Sequence, residues 1–352
     1  VLQDVTSQAG TNSSINIPIK LESTEAKYNS GIRRRLWGYP TSKSKITVTD
    51  YILSPTSGNP EIDMFETVDI NGERTGFGIL GIMESMAKCL QRSMFDYKGG
   101  SPEYPYHICE KVISLVYQNF GNDPVNVFAL CDASLMYSNP PSVFLLALKT
   151  MKEENYQISC MHDVYKFVFS RFKHADSPNS FLLPYHENYI ATVNYLTAIF
   201  GKDDSMKAEK EWILYRLNTA YNMRNNNPAF WINILSGFSP EQRRENLSHL
   251  YNTIGFPIIF DNDWDMLVQD IKQTDLDVNY AIFPAFKAIL GVLANGKKEC
   301  YLHEYCKIDQ VLSSIYDVHC KQSPWEKAVL QEKCPFSLLW NRLGFAGKSV
   351  HF

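Results

Sequence analysis

Residues 108–120 read Ile108-Cys109-Glu110-Lys111-Val112-Ile113-Ser114-Leu115-Val116-Tyr117-Gln118-Asn119-Phe120. Ile108, Val112, Leu115, Val116 and Phe120 recur at helical spacing, so one face of this segment is apolar. The same spacing returns in Tyr189, Val193, Leu196 and Phe200, and again in Leu247, Leu250, Tyr251 and Ile254. Starts and stops frame these segments. Ser239-Pro240-Glu241-Gln242 and Ser323-Pro324-Trp325-Glu326 each place a capping hydroxyl before a first-turn proline, with an amide or carboxylate three residues after the serine. Asp123-Pro124 and Asn227-Pro228 are simpler starts, and Gly99-Gly100-Ser101-Pro102, Asn139-Pro140-Pro141 and Asp176-Ser177-Pro178-Asn179 punctuate the chain. The pattern predicts a mainly α fold of roughly ten to fourteen helices joined by short turns. No segment repeats at a fixed period, which argues against a solenoid.

Ahead of Phe77 the pattern changes. Residues 1–30 are polar and rich in Ser, Thr and Asn, and Ile32-Arg33-Arg34-Arg35-Leu36-Trp37 follows as the densest basic cluster. Ile15 to Leu21 alternates apolar and polar residues, with Pro18 marking an edge strand or a non-sheet segment. Lys45 to Leu53 and Phe65 to Ile70 are further strand candidates, the latter ending at the tight-turn pair Asn71-Gly72. The expected organisation is an extended N-terminal arm over 1–36 and a helical body over 37–352. The body carries a small β-containing region at its front, and its weakest seam lies near 174–184.

Composition is that of a globular chain, 45% hydrophobic and 20% charged over 352 residues. The aromatic load is high, with 20 Tyr, 20 Phe and 6 Trp. Rings with a polar tip serve both cores and interfaces. The net charge of -4 hides an asymmetry. Residues 1–60 carry seven cations against four anions, so the front is locally basic and the remainder acidic. That distribution excludes a whole-surface nucleic-acid binder and leaves room for a local polyanion contact, with Arg33, Arg34 and Arg35 as the candidate nucleic-acid-binding residues. The eight cysteines are spread without disulfide-scaffold density, which predicts buried thiols and a reducing setting. Asn12-Ser13-Ser14 and Asn246-Leu247-Ser248 match the short glycosylation sequon. The longest apolar stretch, Ala281 to Ala294, contains Lys287 and is too short to span a membrane.

Motifs with chemical potential are sparse. Gly76-Phe77-Gly78-Ile79-Leu80-Gly81 matches a dinucleotide loop, but a turn precedes it and no alternating strand–helix series follows. Glycines at a strand-to-helix corner are the expected reading. His162-Asp163 could place an imidazole and a carboxylate on one metal for phosphoester hydrolysis. In that role it resembles the histidine–aspartate phosphohydrolase motif, with His107 and Asp203 or Asp204 as further ligands, although Tyr165 stands where a small residue is usual. Cys300, His303, Cys306, His319, Cys320 and Cys334 offer zinc-type donors without a Cys-x-x-Cys pair. Asp261-Asn262-Asp263-Trp264-Asp265 begins like a calcium loop but lacks its glycine and its closing glutamate. Tyr215-Arg216, Tyr221 to Asn227 and Arg243-Arg244 mix cations with rings and amides, as single-stranded RNA binders do. No nucleophile elbow or P-loop is present.

The arm through Ile32-Arg33-Arg34-Arg35-Leu36-Trp37 and the helix series from Phe77 to about Leu343 together resemble coat proteins of small double-stranded RNA viruses of the partitivirus kind. The resemblance is one of layout over the whole chain and rests on no diagnostic motif. It implies a mainly helical shell subunit without enzymatic activity or cofactor. It also implies N-terminal segments that interlock paired copies, an RNA partner, no membrane, and residence in the virion and host cytoplasm. An RNA-coating helical nucleoprotein and a His–Asp metal phosphohydrolase are the alternative expectations.

Overall fold

The computed structural model describes residues 14–16, 45–54, 64–95, 100–137, 139–172, 183–200, 206–237, 239–255, 259–260, 266–267, 278, 282–295, 298–308, 312–328 and 334–351. In chain order the elements begin with strands β1 (Ser14–Asn16), β2 (Val48–Ser54), β3 (Met64–Asp69) and β4 (Arg74–Phe77). Helices α1 (Ile79–Met94), α2 (Glu103–Tyr106), α3 (Ile108–Val116), α4 (Pro124–Leu135), α5 (Pro140–Glu153) and α6 (Met161–Arg171) follow. Then come α7 (Leu183–Phe200), α8 (Lys207–Asn226), α9 (Trp231–Leu235) and α10 (Pro240–Ile254). The last part holds β5 (Ile259–Phe260), β6 (Met266–Leu267), α11 (Ile282–Asn295), α12 (His303–Ile308), α13 (His319–Gln322), α14 (Pro324–Lys327), α15 (Pro335–Trp340) and β7 (Ser349–His351). The fold is mainly α with a small antiparallel sheet near the front, in line with the sequence. The described helices slightly exceed the expected number because several are single turns of four to six residues, too short to leave a periodic trace.

The chain clusters into two units. The larger comprises Ser23–Lys202 and Ile213–Gly255, and the smaller comprises Val1–Glu22, Asp203–Trp212 and Phe256–Phe352. The expected seam lies outside the described residues except at Leu183 and Pro184, and the arm lies outside them except at β1.

In the larger unit β2, β3 and β4 form a three-stranded antiparallel sheet. The β3–β4 turn contains Asn71-Gly72 as expected, with Gly72 at φ +77°, a conformation that suits glycine. Asp69 locks the turn by accepting from the N–H groups of Asn71 (2.9 Å) and Glu73 (3.0 Å). Strand β4 runs into α1 through Gly78, so the glycine-rich segment is a strand-to-helix corner on an antiparallel sheet. Gly81 is required by packing: a Cβ there would meet Ile108 of α3 at 2.9 Å. The core lies around α4, which packs against α1, α3, α5 and α6. Every residue from Asn126 to Ser134 is buried. Three caps follow the sequence: Asp123 accepts from Val125 N–H, Asn139 from Ser142 N–H and Ser239 from Gln242 N–H. Two do not: the Ser323 hydroxyl donates to Glu326 at 2.8 Å and caps no N–H of α14, and the helix after Asn227-Pro228 starts only at Trp231, with Phe230 at its cap.

In the smaller unit α11 and α15 carry the apolar contacts, with Phe336 stacked on Trp340 at 5.5 Å. Strand β1 pairs in parallel with β7, matching Ile15 to Val350. This pairing joins the described part of the arm to the C-terminal end of the chain.

Candidate functional site

Helix α7 carries Tyr185, Tyr189, Val193 and Leu196 on one face, as the sequence spacing predicts, with His186, Glu187, Asn188 and Asn194 on the rest of its surface. Such an apolar face normally lies against a core. Here none of its described side chains is buried, and Ile190 is 41% exposed. One side of α7 meets α8 through a ring stack. Tyr221 lies parallel to Tyr189 at 4.0 Å and to Tyr185 at 5.8 Å. His186 Nδ1 sits 2.7 Å from the Tyr221 hydroxyl, and the Tyr189 hydroxyl donates to Asn218. Burial raises the Tyr185 phenol above its ordinary value, so it stays neutral at physiological pH.

The larger unit is fastened by a buried polar group that local sequence does not announce. Arg224 of α8 donates through both terminal nitrogens to Asp132 of α4, at 2.8 and 2.7 Å. It also donates to Pro228 O at 2.7 Å and lies 4.5 Å from the Phe230 ring centroid. Tyr165 of α6 donates to the same carboxylate at 2.7 Å. Burial alone would lower the Arg224 pKa; the Asp132 charge outweighs it and raises the pKa. Burial raises the Tyr165 phenol well above its usual value. Sequence offered one signal, a lone aspartate in the apolar run from Val127 to Ala133, because a buried carboxylate needs a partner. The partner, 92 residues away, left none.

The residues singled out for chemistry disperse. Arg33, Arg34 and Arg35 lie outside the described residues, as do Asp203, Asp204 and Asp261 to Asp265. Asp163 caps α6, accepting from Ser159 N–H at 2.9 Å and Cys160 N–H at 3.1 Å. Those bonds, Ser159 foremost, hold its pKa below the usual carboxylate range. His107 bonds Glu110 at 2.6 Å through Nδ1, and its Nε2 lies 3.2 Å from the Ser101 hydroxyl. Burial pushes Glu110 up, but the bonds from His107 and Arg92 outweigh it and bring it down. Arg224, read from sequence as an RNA contact, is buried in its ion pair. Arg243 and Arg244 donate to the carbonyls of Ser93 and Met94, closing the C-terminal end of α1. All eight thiols are free and only Cys160 is exposed. Cys300 donates its N–H to Cys320 O at 2.7 Å. Burial raises its thiol pKa, and Cys334, Cys306 and Cys320 add to that rise. Among the described residues no group of three or more His, Cys, Asp or Glu is placed to hold a metal ion. Among them, too, no helix is long and apolar enough to cross a membrane.

A groove opens on the larger unit beside the sheet. Asp50 and Tyr51 of β2, Leu115 and Val116 of α3, and Lys149, Lys152 and Glu153 of α5 line this open groove of about 530 Å³. It continues past Gln118, Asn119 and Asn155. Lys149 Nζ stands 5.0 Å from the Tyr51 ring centroid.

Comparison with protein-family models, curated proteins and solved structures finds no match to this chain.

Proposed function

We propose that the chain is a self-assembling viral structural protein, a capsid subunit that encloses an RNA genome. The observation that carries the self-assembly is α7, whose apolar face of Tyr185, Tyr189, Val193 and Leu196 is only half-buried and whose Ile190 is exposed, among the described residues. Fully covering one large apolar side chain is worth about 1.5–3 kcal/mol, so a half-wet face favours covering it with another copy. The half-buried rings of Tyr185 and Tyr189 on that face suit the role, since rings add contact area at low entropy cost. The RNA part of the reading rests on the basic root of the arm, Arg33-Arg34-Arg35, and on the resemblance of the sequence layout to partitivirus-like coats. Light scattering and electron microscopy of the purified protein test it, together with ultraviolet absorbance for co-purifying RNA. Oligomers or shells at micromolar concentration are expected. A chain that stays monomeric at every concentration and ionic strength overturns the reading.

A further inference from the structure

We propose that Cys320 is a peroxide-sensitive thiol, oxidised by hydrogen peroxide or a similarly small hydroperoxide and then closed in a disulfide with Cys300. The site lies within the smaller unit and does not depend on the self-assembly reading.

A buried cation set against a buried sulfur carries the inference. Lys327 of α14 is 2% exposed. Its ammonium donates to the Cys320 sulfur at 3.1 Å and to Ile315 O, and Asp317 Oδ2 lies 3.4 Å from it. An ammonium taken out of water needs an anion beside it. The Asp317 side chain is 43% exposed, so water screens much of its charge. A thiolate on Cys320 is the anion that the buried ammonium meets. Burial alone would lower the Lys327 pKa; the Cys320 sulfur and Asp317 outweigh it and raise it. Asp317 Oδ1 also lies 4.0 Å from the sulfur and opposes a charge there, but from farther away than the ammonium and from a wetter position. By contrast, burial raises the Cys89, Cys131 and Cys300 thiols, which keeps them protonated.

The thiolate, not the thiol, attacks a peroxide. An S–O bond forms on Cys320 as the O–O bond breaks. The sulfur gives up two electrons, and the departing hydroxide or alkoxide takes a proton from water. A second thiol stands ready for the sulfenic acid. Cys300 donates its N–H to Cys320 O at 2.7 Å. With standard backbone dimensions, that bond holds the two Cα atoms at most about 6.6 Å apart, inside the range that a disulfide spans. The Cys300 sulfur displaces the sulfenic oxygen, an S–S bond forms, and the oxygen leaves as water with the thiol proton. Cys320 is 6% exposed, which restricts the oxidant to a small one.

The test treats the reduced full chain with hydrogen peroxide, traps sulfenic acid with dimedone and maps every cysteine by mass spectrometry. Cys320 should react first, ahead of Cys160, the exposed thiol. Wild type should gain a Cys300–Cys320 disulfide, and Cys300→Ser should carry dimedone on Cys320 instead. Lys327→Met should slow Cys320 oxidation at least about tenfold. Were Lys327→Met not to fold, the order of reaction in the wild type carries the test by itself. Oxidation of Cys160 with Cys320 left intact overturns the proposal, as does an unchanged rate in a folded Lys327→Met. A bridge from Cys320 to Cys306 or Cys334, or a sulfenic acid that persists in the wild type, overturns the role of Cys300.

Discussion

Helices α4 and α7 both present large apolar side chains and differ in fate. Helix α4 is apolar around most of its axis, whereas α7 keeps its apolar residues mainly on the face of Tyr185, Tyr189, Val193 and Leu196. Helix α4 is wrapped by α1, α3, α5 and α6, and every residue from Asn126 to Ser134 is buried. Helix α7 has one ring stack against α8, and none of its described side chains is buried. Hydrophobic periodicity identifies the face of a helix that seeks cover and says nothing about what covers it. The difference teaches that burial of such a face is set by its neighbours, and among the described residues α7 has fewer of them than α4.

The comparison breaks first at α4. Phe128 is 1% exposed and packs edge-to-face on Trp231 at 5.0 Å. Phe128→Ala should cost about 3–5 kcal/mol, read by denaturant titration as a fall in midpoint without a change in slope. Asp132→Ala should cost a similar 3–5 kcal/mol for another reason: it strands the Arg224 cation in the interior. Adding Arg224→Met to Asp132→Ala should recover part of that loss. If Asp132→Ala is as harmless as a surface change, the buried pair does not hold α4, α6 and α8 together.

A smaller effect of opposite kind is expected at α7. Ile190→Asp should leave unfolding of the isolated chain within about 0.5 kcal/mol of wild type, as for an exposed position. Its self-association should fall at least about tenfold, near 1.4 kcal/mol. A variant that loses stability but keeps its oligomeric state would place α7 in a core after all and remove the contrast with α4.

How far the sequence could see follows from the same physics. The helix at 108–120, the cap at Ser239, the strands at 48 and 64 and the Asn71-Gly72 turn were legible because each is written in neighbouring residues. Strand β4 was read as part of a turn: its four residues include Arg74 and Gly76, and only pairing with β3 makes them a strand. The β1–β7 ladder and the choice of Arg224 as the partner of Asp132 depend on residues far apart in the chain, and one sequence does not say which of them meet. Conversely, Arg243 and Arg244 read as free cations because nothing local shows that the carbonyls of Ser93 and Met94 await them.

The smallest effect concerns the helix next to α4 in the core. Asp163 is bonded by Ser159 and Cys160 N–H groups at the start of α6, and this cap depends on its charge. Asp163→Ala should cost about 1 kcal/mol at neutral pH. The sign with pH follows from the depressed folded pKa. The stabilisation is fully present above the ordinary aspartate value and is lost as pH falls through the lower folded value, where the carboxyl takes up its proton in the folded state too. The gap between wild type and Asp163→Ala, measured by denaturant titration, should therefore be widest near pH 7 and narrow below about pH 4. A gap that stays constant with pH would mean that the aspartate acts by shape rather than charge. Since α6 closes one side of α4, a shifted position of α6 would then show as a loosened core around Phe128 and not as a frayed helix end.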